Sequence, residues 1–256
     1  MVLDLDKEKI ARCFRRSLPT YDDAALVQNK LAVRLLESVD IIPDSAYKRV
    51  LEIGCGTGLL TEMLCRNKPI KTLYLNDLVS DFESVVFKRT ADQKSIQFVS
   101  CFGDIESLDF PQDLSLVISG STFQWLSNLP EFFEQLGRKF PSGAYLAFSL
   151  FGPGTLKEFS SLTAVELGYC SNKKIVTLLE QDFILESHNE FQDILYFRSV
   201  KELLYHIRAT GVGGVSEYQW TRESLRQFEV RYCEEFGAEK GLPVSYSSSC
   251  FVLRRR

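Results

Sequence analysis

The stretch RVLEIGCGTG, residues 49–58, decides the reading of this chain. Its first half is short, apolar and rich in β-branched and aliphatic residues, the pattern of a strand buried on both faces. Gly54, Gly56 and Gly58 follow at once, and Leu59–Arg66 then reads as a helix. Glycines between a strand and a helix permit a tight turn and let backbone approach a ligand without Cβ clashes. The spacing is GxGxG, not the GxGxxG of dinucleotide sites. A dinucleotide needs its pyrophosphate at the helix N-terminus. A cofactor without phosphates needs close approach more than anion capture.

Working outward, the same alternation repeats. Strands are expected at Thr72–Asn76, Ile96–Cys101, Leu114–Ser119 and Ala144–Leu150, with helices at Ser80–Thr90 and Pro130–Arg138 between them. That order implies right-handed βαβ units and a mostly parallel, doubly wound α/β sheet. Upstream, 6–16 and 22–38 read as helices, separated around Pro19 and Tyr21. Downstream the expectations are a helical stretch over 155–182, a strand at Asp193–Phe197, a helix at Ser199–Thr210 ended by Gly211, Gly213 and Gly214, a helix at Thr221–Glu235, and a final strand at Ser245–Arg254. Thr221 has Ser224 near it but Glu223 one place early, which makes a weak capping box.

Composition narrows the function classes. The 256 residues are 45% hydrophobic and 25% charged, the mix of an ordinary folded domain. A net charge of −4 offers no broad cationic field for nucleic acid. No run approaches the roughly 20 apolar residues needed to span a bilayer, and the acids in MVLDLDKEKIARCFRR argue against a signal peptide. The seven cysteines include no CxxC pair, and there are two histidines, His188 and His206, so neither a disulfide framework nor a metal site is expected. The expectation is a cytoplasmic monomer with no nucleic-acid or membrane partner. A single domain should span 1–256, with an N-terminal helical lid in 1–40, a cofactor-binding half in 41–155 and substrate-side elements in 156–256.

Two carboxylates complete the pattern around the glycines. Asp77 ends the second strand, 21 residues after Gly56, where a carboxylate can accept from both ribose hydroxyls. Asp104 follows the third strand in Gly103-Asp104-Ile105, where it can accept from an adenine amino group while Ile105 packs on the ring. Ser119 and Gly120 leave the fourth strand beside the crevice where open α/β sheets bind ligands. Alone, any of these is as readily a helix cap or a structural turn. Together, at successive strand ends, they point to a nucleoside-containing cofactor.

LEIGCGTG (51–58), Asp77 and GDI (103–105) resemble class I S-adenosylmethionine methyltransferases. More narrowly, the chain resembles the malonyl-acyl-carrier-protein O-methyltransferases of biotin synthesis. The narrower resemblance rests on FRRSLPTYDDAALVQ (14–28) with Phe14, Arg16, Tyr21 and Gln28, on SGSTFQW (119–125), on GPGTL (152–156), and on the run from YFRSVKELLYHIRATGVGG to GLPVSYSSSCFVL. Gly120 departs from the Asn common in the family, and 165–182 matches poorly.

The resemblance implies a Rossmann-like, mostly parallel seven-stranded sheet with an antiparallel C-terminal strand, an N-terminal helical lid and a small helical insertion. It also implies S-adenosylmethionine as cofactor, S-adenosylhomocysteine as product, and methyl transfer to the free carboxylate of a malonyl thioester on acyl carrier protein. The expected cofactor contacts are Tyr21, Gln28, Glu52, Gly54, Gly56, Gly58, Asp77, Leu78, Asp104, Ile105 and Ser119. Tyr21 and Gln124 are the positioning residues, with no general base, because a carboxylate is already ionised at neutral pH. Trp125 is a candidate for substrate positioning. Arg16 and Arg208 are candidates for a guanidinium fork on the malonyl carboxylate. Lys173, Lys174, Arg222, Arg226 and Arg231 are candidates for docking an acidic carrier protein. Two other functions stay open at this point: methylation of a small polycarboxylic acid, and a module that binds S-adenosylmethionine without turnover.

Overall fold

The computed structural model describes residues 5–109, 111, 113–163, 168–210 and 220–256. Helix α1 (Lys7–Ser17) starts where the Asp6 carboxylate accepts the Lys9 N–H at 2.8 Å. The second expected helix is broken at Ala25 into α2 (Tyr21–Ala24) and α3 (Leu26–Ser38). Strand β1 (Arg49–Ile53) leads through the glycines into α4 (Leu59–Asn67). Next come β2 (Thr72–Asn76), α5 (Phe82–Arg89), β3 (Gln97–Ser100), β4 (Leu116–Gly120), α6 (Leu129–Lys139) and β5 (Tyr145–Phe151).

The C-terminal half differs more from expectation. The stretch 155–182 contains two short helices, α7 (Lys157–Thr163) and α8 (Asn172–Leu179), the second capped by Ser171. The strand expected at Asp193–Phe197 is the tail of a 15-residue β6 (Phe183–Phe197). After α9 (Val200–Ala209), Gly211, Gly213 and Gly214 lie outside the described residues. Helix α10 (Arg222–Phe236) has a sounder cap than the sequence suggested: Thr221 and Ser224 exchange backbone-to-hydroxyl hydrogen bonds of 3.0 Å each way, so serine does the work usually given to glutamate. Strand β7 (Leu242–Arg255) ends the chain.

Among the described residues, seven strands form one sheet in the order β3-β2-β1-β4-β5-β7-β6. Strands β1 to β5 pair in parallel, and β7 runs antiparallel to both β5 and β6. The alternate residues of β1 explain why it sits centrally: Val50 packs into the core beneath α3 and α4, while Leu51 and Ile53 pack into a second core with α6 and α8. No helix among the described residues is long and apolar enough to cross a membrane.

Candidate functional site

The strand order reverses between β1 and β4, and in open α/β sheets ligands bind outside the carboxyl ends of the strands at that reversal. A cleft of about 700 Å³, its open mouth included, lies there. Its floor is tied together by Asn76, 2% exposed at the end of β2. The Asn76 carbonyl accepts the N–H groups of Gly54 and Cys55 at 2.8 and 2.9 Å, and its side-chain amide donates to the carbonyls of Cys101 and Gly103 at 2.7 and 3.0 Å. One residue thus locks the ends of β1, β2 and β3 into a common rim. Gly54 has φ +74°, and a Cβ there would fall 1.9 Å from Thr122 Oγ1, so only glycine lets the β1 turn meet the β4 exit.

Asp77 follows directly. One carboxylate oxygen accepts the Gly56 N–H at 2.9 Å and the other the Val79 N–H at 2.8 Å. Burial nevertheless pushes its carboxyl up to about 6, the two N–H bonds pulling the other way. Glu52 lies beneath the glycine turn, 1% exposed, and burial pushes its carboxyl up to about 8. The nearby Thr61 hydroxyl opposes that shift and the Asp77 charge adds to it, although neither Glu52 Oε2 nor Thr61 Oγ1 makes a hydrogen bond of good geometry among the described residues. Burial, with the charges of Asp77 and Asp22, pushes the Tyr21 phenol further above its usual range, so it stays neutral.

The N-terminal segment covers the cleft at three points. Lys7 Nζ reaches Asp104 Oδ1 at 3.0 Å and Glu106 Oε2 at 2.5 Å. Phe14 meets Trp125 edge to face, ring centroids 5.4 Å apart. Asp22 accepts the Thr57 hydroxyl at 2.6 Å and pairs with Arg89 of α5, holding α2 against the glycine turn.

Of the residues expected at the cofactor, Tyr21, Gly54, Gly56, Asp77, Leu78, Asp104 and Ile105 line this cleft, and so does Trp125. Others are placed elsewhere. Ser119 is fully buried and its hydroxyl donates to the Ile53 carbonyl at 2.9 Å, spent on joining β4 to β1. Gly58 caps α4 at φ +85° against Val86, and Glu52 is buried on β1, off the cleft lining. Gln28 sits on α3 with its Oε1 buried and without a partner among the described residues. Gln124 donates to the Ser121 carbonyl at 2.7 Å and faces a separate small apolar cavity with Cys170 and Lys174. Arg16 and Arg208 are exposed and off the cleft wall, because both sit on the solvent faces of their helices. The docking expectation also changes: on α10, Arg222, Arg226 and Arg231 are interleaved with Glu223, Glu229, Glu234 and Glu235, so that helix carries no cationic face. Lys173 and Lys174 remain exposed on α8.

His206 is buried, pushed down to about 4 by that burial, and its Nε2 shares a 2.7 Å hydrogen bond with the Tyr246 hydroxyl. It is a neutral packing residue. Among the described residues, no group of His, Cys, Asp and Glu side chains is arranged to hold a metal ion.

A family model described as a methyltransferase domain matches residues 51–148. Over nearly its whole length the chain is also similar to curated enzymes. It is 34% identical to a malonyl-acyl-carrier-protein O-methyltransferase of Chlorobium phaeovibrioides across 98% of this chain and 97% of that one. It is 32% identical to the enzyme of that name from Calditerrivibrio nitroreducens across 94% of each. The chain belongs to the malonyl-acyl-carrier-protein O-methyltransferase family. The fold agrees: the N-methyltransferase NodS of Bradyrhizobium japonicum, solved with S-adenosyl-L-homocysteine, matches with a TM-score of 0.56 at 14% identity over 96% of this chain and 98% of that one.

Within this methyltransferase, the sequence reading missed Asn76, Lys7, Asp22 and Thr122. Asn76 and Thr122 stand beside residues that were singled out, and only their backbone geometry shows what they do. Lys7 and Asp22 lie 97 and 35 residues from Asp104 and Thr57, so no local pattern links them.

Proposed function

We propose that this chain transfers a methyl group from S-adenosylmethionine to the free carboxylate of a malonyl thioester borne by acyl carrier protein. The observation that carries the proposal is full-length similarity to enzymes of that name, joined to a strand-end cleft with two carboxylates and a glycine turn.

The residues present fit such a cofactor. Each Asp77 oxygen accepts one backbone N–H and keeps a lone pair, as a ribose diol requires. Asp104 Oδ2 has no partner among the described residues and suits an adenine amino group, with Ile105 beside it. A Cβ on Gly56 would meet nothing within 4 Å, so this turn leaves space on the ligand side. Lys7, the one cation among the described residues lining the cleft, is already paired with two carboxylates. That set favours an uncharged nucleoside over a phosphate-bearing one. Gly54, Gly56, Asp77, Leu78, Asp104 and Ile105 would hold the nucleoside, and Tyr21 would close over its reactive end.

Bound there, the cofactor supplies an electrophilic methyl on a sulfonium. The acceptor needs no activation, since a carboxylate with a pKa of about 4 is ionised at neutral pH. Among the described residues the cleft offers none: Tyr21 is held neutral, and Asp77 and Asp104 would be taken up by the nucleoside. What the protein contributes is orientation, on the order of 7–11 kcal/mol in well-aligned systems. Helices α1 and α2, with the Phe14–Trp125 contact, exclude water that would otherwise solvate the carboxylate.

The test is to incubate the chain with methyl-labelled S-adenosylmethionine and, separately, malonyl-acyl carrier protein, malonyl coenzyme A and free malonate. Base-labile label in the protein-bound thioester is expected. Label only in free malonate would assign the enzyme to small dicarboxylic acids, and no label would mark a binding module.

A further inference from the structure

The geometry points to Lys7 as a positioning residue that fixes Asp104 for the amino group of a bound adenine, so that docking of the lid and recognition of the base are one event. This rests on the S-adenosylmethionine reading above. Asp104 Oδ1 is used twice, by Lys7 Nζ at 3.0 Å and by the Glu106 N–H at 3.1 Å. Both bonds fall on the same oxygen, which leaves Oδ2 as the acceptor without a partner among the described residues.

The lysine is itself held from the far side. Its Nζ lies 2.5 Å from Glu106 Oε2, and Glu106 accepts the backbone N–H groups of Ser127 and Asn128 at 2.8 and 2.7 Å, just ahead of α6. The ammonium is therefore positioned by the α6 entrance, not by its own flexible stem. Lys7, Ile10 and Phe14 recur at three- and four-residue spacing on α1 and all line the cleft, so one helical stripe carries the cation, an apolar contact and the ring that meets Trp125. Take Lys7 away, and Asp104 faces the Glu106 carboxylate two residues on with no cation between them. Like charges then drive the two apart and turn Asp104 from its bearing. Lys7 and Asp104 side chains are 22% and 30% exposed, buried enough for a fixed geometry yet close enough to solvent for the lid to release.

Calorimetric titration of the full chain with S-adenosylhomocysteine and with its 6-deamino analogue, in which hydrogen replaces the adenine amino group, tests this directly. For Lys7→Met, affinity for S-adenosylhomocysteine should fall about tenfold, the size of one hydrogen bond to a charged group, while affinity for the deamino analogue stays within about twofold of the parent. Lys7→Arg, which keeps the cation, should restore most of the discrimination. An equal loss on both ligands would reduce Lys7 to a lid tether, and no loss on either would remove it from the site; both results overturn the proposal. If the unsubstituted chain binds neither ligand, it is the cofactor reading that fails.

Discussion

Glu52, buried on β1, and Asp77, half-buried just past the neighbouring β2, are carboxylates that stand in opposite relations to the cleft. Asp77 lines it; Glu52 supports its floor from below. Burial has lifted Asp77 to about 6, and ribose hydroxyls donate to the charged form, so binding should draw its proton off. Affinity for S-adenosylhomocysteine should therefore be highest above pH 7 and weaken as pH falls through 6, approaching a tenfold loss per unit below it. Calorimetry between pH 7.5 and 5 reads this; a flat profile would contradict the role of Asp77. At Gly54 the expectation is steric. Gly54→Ala places a Cβ against Thr122 at a positive φ, a strain of about 1–3 kcal/mol. The variant should melt lower and bind cofactor more weakly, and unaltered melting would show that the turn has room to give.

At the scale of elements, the lid and the edge strand teach different things. The β1-turn-α4 unit and the strands beside it could be read from sequence because parallel strands buried on both faces leave apolar runs such as Leu116–Ile118, or Val50–Ile53 interrupted only by Glu52. Strand β6 could not. It forms the sheet edge, and ESHNEFQD in its middle lies largely exposed or half-exposed, so its polarity resembles a loop. Helices α7 and α8 merged into one expectation because the local start signal between them, Ser171 as the cap of α8, was passed over. For the lid, the helices were foreseeable but their anchors were not, since Lys7, Phe14, Asp22 and their partners are joined only by tertiary contact. Asp22→Ala should release α2 from Thr57 and Arg89. Because the Asp22 side chain is 38% exposed, the expected cost is only about 1 kcal/mol, or fivefold in cofactor affinity, with faster proteolysis near residues 17–25. Cleavage at the parental rate would show that the lid is held by other contacts.

For the whole molecule, Glu52 couples the site to stability. Its folded carboxyl is raised to about 8, so the unfolded chain releases that proton several units earlier. Stability is fully present below the usual carboxylate range and declines as pH rises toward 8, by up to about 1.4 kcal/mol per unit from this one group. Glu52→Gln abolishes the decline, so its melting temperature relative to the parent should climb between pH 5 and 8; a constant difference would mean the group is ionised in place. A carboxyl kept neutral beneath the glycine turn also spares Asp77 a second negative charge nearby. The measurement that bears most directly on the central claim, that the ends of β1, β2 and β3 jointly grip an adenosyl group, is calorimetric titration of S-adenosylhomocysteine into the chain and into Asp77→Ala at pH 7.5. Expected are one site in the parent and a loss of at least about tenfold in the variant, as removal of a charged hydrogen-bond acceptor implies; equal affinities would contradict the claim.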